Sequence, residues 1–160
     1  MSTYAWLTDL HLDTLSSDMQ LIKFFESVAA KNPEGIIITG DISQAPSLVY
    51  HLSAAERVVQ RPIHFVLVNH DFWRGDVERV RKAARDLSNV SSFTKYIPLT
   101  QYIQLSPTTA LIGHDGWYDA YAGNWKTSNM VLNDWYHIGD FAVLSGGIQN
   151  MYMGKTLNIP

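Results

Sequence analysis

The stretch Ile36-Ile37-Ile38-Thr39-Gly40-Asp41-Ile42-Ser43 decides the fold. A β-branched run without alternation reads as a strand buried on both faces, and the glycine and acid that follow end it in a turn. The same order recurs on either side. Thr3 to Thr8 leads into Asp9-Leu10-His11, and Ile63 to Val68 leads into Asn69-His70-Asp71. Amphipathic helices fill the intervals. Ser16 or Ser17 can cap one with Leu21, Phe25, Val28 and Ala29 on one face, ending at Asn32-Pro33-Glu34-Gly35. A second runs from about Pro46 to Val59 with Leu48, Leu52, Ala55 and Val59 in register. A third, from about Asp76 to Leu87, aligns Val77, Val80, Ala84 and Leu87, and places Glu78 and Lys82 to pair at i,i+4. The order βαβαβα predicts a parallel sheet covered on both faces.

After Ser88 the texture changes. Thr94 to Ile97, Tyr102 to Leu105 and Thr109 to Ile112 read as short β pieces separated by Pro98 and Pro107. An aromatic segment follows, with Trp117, Tyr118, Tyr121, Trp125, Trp135, Tyr136 and Phe141, and Met130 to Ile138 reads as a poor helix. Gly146 to Pro160 carries no clear period and is left as an unassigned tail. The whole of residues 1–160 is expected to be one domain.

Composition narrows the function classes. A formal charge of −3 offers no electrostatic case for nucleic acid. The chain has no cysteine, which removes disulfides, thiolate metal sites and Cys nucleophiles and fits a reducing compartment. No stretch approaches the ~20 apolar residues that span a bilayer, nor is there a leader-like amino terminus. The expectation is a soluble, cytoplasmic protein without a membrane partner.

Three strands ending in oxygen and imidazole donors would gather those donors at one sheet edge, where open parallel sheets bind their ligands. Asp9 and His11 are two apart and can point the same way from an extended chain. Asp41 has two carboxylate oxygens and can bridge two ions, while Asn69 offers an uncharged amide oxygen. His70 would diverge toward substrate, where it can donate a proton. Two ions ~3.5–4 Å apart can clamp a phosphate and lower the pKa of a bound water. A doubly wound nucleotide-binding protein is disfavoured, because no Gly-rich loop follows the first strand.

Asp9-x-His11, Gly40-Asp41 and Asn69-His70-Asp71, about thirty residues apart, closely resemble the first three blocks of the calcineurin-like metallophosphoesterases over roughly residues 3 to 120. The resemblance implies an α/β/β/α sandwich, here incomplete at its carboxyl end, and a hydrolase acting on phosphate mono- or diesters with two divalent ions (Mn, Fe or Zn). Asp9, His11 and Asp41 would hold one ion, and Asp41 and Asn69 would touch the second. His70 would assist the leaving group, with Asp71 steadying it. Two departures stand out. Val68 occupies a place where the family usually has glycine, and a β-branched residue is costly there if the backbone needs φ > 0. Beyond Asp71 only His114 and His137 remain, with no Gly-His-x-His block.

These absences predict at most one tightly held ion and weak or no turnover. They also predict an exposed apolar sheet surface that favours self-association or a missing carboxyl-terminal half. The alternative reading is a non-catalytic scaffold of the same fold that binds a partner protein; retention of Asp9, His11, Asp41, Asn69 and His70 together speaks against it. Trp73, Arg74 and His114 are candidates for substrate contact, with His114 also a substitute ligand. His51 and His64 are read as packed side chains, and Arg79, Arg81, Lys82 and Arg85 as a solvated helix face.

Overall fold

The computed structural model describes residues 3–116, 127 and 132–142. Trp117, Tyr118, Tyr121, Trp125, Met130 and the 146–160 tail lie outside the described residues. Strands β1 (Tyr4–Leu7), β2 (Gly35–Thr39), β3 (Ile63–Val66) and β4 (Thr94–Tyr96) form one parallel sheet in that order. Helices α1 (Asp18–Ala29), α2 (Ala45–Val59) and α3 (Val77–Val90) connect them, and β5 (Ile103–Ser106) and β6 (Thr109–Leu111) form an antiparallel hairpin. Two short helices, α4 (Asp134–His137) and α5 (Gly139–Ala142), follow.

The helices form where the apolar stripe demands it. Leu21, Phe25 and Val28 on α1, Leu48, Leu52, Ala55 and Val59 on α2, and Val80, Ala84 and Leu87 on α3 are buried in one cluster with Ile36, Ile38, Ile63 and Phe65. Helix α2 begins with Pro46 in its first turn, where the missing N–H costs nothing, and stops at Gln60 with φ 50°. With the usual right-handed crossovers, strand order β1-β2-β3-β4 predicts that the three helices share one face, and their apolar stripes do join one core cluster.

Among the described residues, cover of the sheet varies along it: all four positions of β3, on both of its faces, are buried. Ile36 and Ile38 face the helices at 0 % exposure, whereas Ile37 and Thr39 on the other side of β2 are only half-buried. On the edge strand Trp6 is 72 % exposed, its Nε1 donating to Thr39 Oγ1 at 3.0 Å. Trp135 and Phe141 join the core as packing residues.

Helix α3 brings two further corrections. Glu78 does not meet Lys82: it accepts from Arg85 two turns further along, while Lys82 pairs at 2.6 Å with Asp86 one turn further along. Arg81 also leaves the solvated face. Its Nε lies 3.1 Å from the buried Asp115 carboxylate, and its guanidinium sits 5.9 Å from the Phe72 ring centroid. Asp115 also accepts from Leu67 N at 2.9 Å and from the Tyr96 hydroxyl. Three donors meet the hydrogen-bonding demand of a carboxylate taken into the interior. It ties the turn after β6 to β3, β4 and α3, and takes the Leu67 N–H that a longer β3 would have used.

Candidate metal centre

Strands β1 and β2 run side by side and their carboxyl-terminal turns stay paired. Asp9 N donates to Gly40 O at 3.3 Å, His11 N to Asp41 O at 2.9 Å and Leu12 N to Ile42 O at 2.9 Å. To make these bonds while turning, Asp9 (φ 52°), His11 (φ 43°) and Asp41 (φ 49°) adopt left-handed backbone, beside Gly40 at φ 91°. Asp and His tolerate this region better than most residues, yet each costs on the order of 1–3 kcal/mol. Three such residues at one sheet edge hold their side chains in one small volume. One ligand atom from each of Asp9, His11 and Asp41 lies within 4.8 Å of the others, and His11 Nε2 is 3.9 Å from Asp41 Oδ2.

Two carboxylates and an imidazole form the donor set expected for a hard or borderline divalent cation, so the residues present fit such an ion. Burial pushes the Asp41 carboxyl above its ordinary range, while the His70 N–H and the His11 ring pull it back. A cation at this position would favour the ionised form further.

The third strand contributes through a 3-10 turn at Asn69–Phe72. Fully buried Asp71 accepts from four backbone N–H groups: Asp41 (3.0 Å), Ile42 (2.8 Å), Ser43 (3.2 Å) and Val68 (2.9 Å). Its carboxylate staples the turn after β2 to the turn after β3. Burial pushes its pKa up to about 7 against the pull of those donors. His70 N donates to Asp41 Oδ1 at 3.2 Å. The His70 ring lies between His11 (centroids 4.4 Å, 84°) and Trp73 (4.4 Å, 46°), and its Nε2 is 3.2 Å from Asp13 Oδ1. A carboxylate only accepts, so the pairing places a proton on Nε2. Asn69 Nδ2 and Trp73 Nε1 both donate to Asp134 Oδ1, at 2.9 and 2.7 Å.

The family model described as calcineurin-like phosphoesterase matches residues 2–147. The chain belongs to the calcineurin-like phosphoesterase family. A search of curated proteins finds no match to it. Membership makes this a metallophosphoesterase domain, and the turns that carry Asp9, His11, Asp41 and Asn69 lie within the matched region. Among the described residues, no helix is long and apolar enough to cross a membrane.

Within this family frame, the glycine missing from the third block has a structural counterpart. Val68 has φ −132° and ψ −170°, extended backbone that a β-branched residue adopts readily. Its methyls instead fill the space above Gly40, where an added Cβ would lie 2.5 Å from Val68 Cγ2.

Asp9, His11 and Asp41 are brought together, with His70 beside them. Asn69 lies on the same turn, its amide nitrogen directed to Asp134. The support expected of Asp71 for His70 is corrected: Asp71 serves backbone N–H groups, and Asp13 meets the ring. Trp73 is half-buried between His70 and His137, with which it stacks at 4.7 Å and 29°, so much of its ring is already covered. Arg74 is exposed, and its N–H donates to His137 O at 2.6 Å. His114 is exposed, donates from Nδ1 to the Asp115 carbonyl and joins neither cluster of possible ligands. His51 Nδ1 meets Ser43 Oγ at 2.8 Å, and His64 is buried with no partner for Nδ1 among the described residues.

Two residues of this neighbourhood escaped the sequence reading. Asp13 continues the Asp9-x-His11 spacing by two more positions, a signal that was present. Asp134 stands 65 positions beyond Asn69 with no local pattern to mark it.

Proposed function

We propose that the domain hydrolyses phosphate mono- or diesters at a site for two divalent ions. The observation that carries this reading is the convergence of Asp9, His11 and Asp41 within 4.8 Å, beside a His70 ring paired with Asp13. Asp9, His11 and Asp41 would hold one ion, and Asp41 and the Asn69 carbonyl would reach the other. Bound ions would polarise the phosphoryl group and make a nucleophile of water near neutral pH.

The chain's own contribution is position and proton transfer. Asp13 holds His70 Nε2–H and thereby fixes the orientation of the ring. Nδ1 is then the nitrogen left to face the leaving oxygen, and it can pass a proton there from the imidazolium form, in which both ring nitrogens carry hydrogen. The strained turns hold the carboxylates in place before substrate arrives, which limits reorganisation during the reaction. Asp41 and Asn69 give the second ion fewer donors than the first, so we expect unequal affinities and slow turnover. The exposed Trp6 face is where self-association or a partner would cover the sheet.

His11, Asp13 and His70 form a second group of possible ligands that shares His11 with the first, and mutation separates its role from the acid role. With p-nitrophenyl phosphate and bis-p-nitrophenyl phosphate in Mn²⁺, His70→Gln should lower kcat by about 10²–10⁴ and leave metal content unchanged. Asp41→Asn should lower activity most among the metal residues. Loss of metal from His70→Gln would make His70 a ligand instead. Metal bound without any turnover in the native chain would favour the non-catalytic scaffold.

A further inference from the structure

The turn carrying Asn69 and His70 is gripped from outside by a segment 60 to 70 residues later. Asp134, 4 % exposed, accepts from both Asn69 Nδ2 and Trp73 Nε1 through one oxygen. Arg74 N donates to His137 O at 2.6 Å, Gly139 N to Gly75 O at 2.8 Å, and Val77 N to Asp140 Oδ2 at 2.6 Å. The His137 ring stacks on Trp73, whose other neighbour is His70. The turn after β3 is thus attached at both side-chain and backbone level.

An Asn amide has two ends of opposite character, and which end faces a cation decides whether it is a ligand or a repulsive group. A carboxylate beside the amide accepts only from Nδ2, so it excludes the flipped rotamer, which would set Oδ1 against Asp134. We propose that Asp134 is a positioning residue that locks the Asn69 carbonyl toward the ion shared with Asp41, with Trp73 holding the Asp134 oxygen in place. The proposal rests on the metal-site reading above and adds to it a residue that contacts neither ion nor substrate. Outer contacts of this kind typically change metal affinity by about 10–100-fold.

The test uses the full chain and Mn²⁺ alone. In the native protein one Asn69 side-chain amide proton should exchange slowly by NMR, and Asp134→Ala should abolish that protection. The same substitution should weaken binding of the more weakly held Mn²⁺ by about tenfold or more in calorimetry. The tighter Mn²⁺ should change by less than about threefold, because Asp9 and His11 do not touch Asp134. Asp134→Asn keeps an acceptor oxygen and should restore most of the affinity, which a purely structural role for the charge would not. Fast exchange of the Asn69 amide in the native chain would overturn the proposal even if Asp134→Ala does not fold. So would an Asp134→Ala protein whose two Mn²⁺ affinities are unchanged. A native chain that binds no Mn²⁺ overturns the metal-site reading itself and is distinguished by failure before any variant is made.

Discussion

Gly40 is the position where backbone and packing both reject a side chain. At φ 91° an L-residue is strained, which costs about 1–2 kcal/mol. A Cβ there would meet Val68 Cγ2 at 2.5 Å, Cγ1 at 2.8 Å and Cβ at 3.0 Å. All three are closer than van der Waals contact, and Val68 is held in the turn after β3 by its N–H to Asp71, so displacement adds about 1–3 kcal/mol. Gly40→Ala should therefore destabilise the domain by about 2–5 kcal/mol, or roughly 5–15 °C in Tm at this chain length. The strain term and the clash term separate in a double-mutant cycle with Val68→Ala. Removing Cγ1 and Cγ2 leaves only the 3.0 Å contact, so the pair should show a favourable coupling of about 1–3 kcal/mol while the φ cost remains. Urea unfolding of the four proteins reads both quantities. Gly40→Ala as stable as the native chain, or purely additive losses, would refute the claim that Val68 occupies the space vacated at Gly40.

Two further substitutions probe the buried polar groups. Asp71→Asn turns an NH₂ toward backbone donors that all need an acceptor, so it should cost about 2–4 kcal/mol and loosen both ligand turns. A variant with native Tm and reduced kcat would return Asp71 to the role of partner for His70. Burial holds the His64 pKa below its ordinary 6.5, so the unfolded chain binds the proton first. The stability this contributes is complete above pH 6.5 and is lost as pH falls toward the folded value. His64→Leu should remove that acid-side loss and, by deleting a nitrogen with no partner among the described residues, stabilise by about 1 kcal/mol at pH 7. Identical urea midpoints for native and variant at both pH 7.5 and pH 5.5 would count against it.

The sheet was legible because its strands are uninterrupted apolar runs, each closed by polar residues, and the helices because their stripes keep a 3.6-residue period. Local pattern extends no further than neighbours in sequence. It placed Asp9, His11 and Asp41 at strand ends but had no means of showing that left-handed backbone at all three gathers them. The family resemblance, not local pattern, implied that Asp71 steadies the adjacent His70, whereas its carboxylate accepts from Val68 N close by and from backbone N–H groups about thirty positions away. Arg81 looked like its basic neighbours on α3 until Asp115, folded in from beyond β6, supplied a buried partner. Strand composition tells that Ile37 is apolar, but which face the helices take follows from strand order and crossover handedness.

The central claim is that Asp9, His11 and Asp41 together coordinate a divalent ion. Anomalous diffraction from crystals equilibrated with Mn²⁺ locates such an ion directly. A peak is expected at about 2.1–2.3 Å from a carboxylate oxygen of Asp9, a ring nitrogen of His11 and a carboxylate oxygen of Asp41. A peak held by His11, Asp13 and His70 instead, or no peak at the ends of β1 and β2 in saturating Mn²⁺, would contradict it.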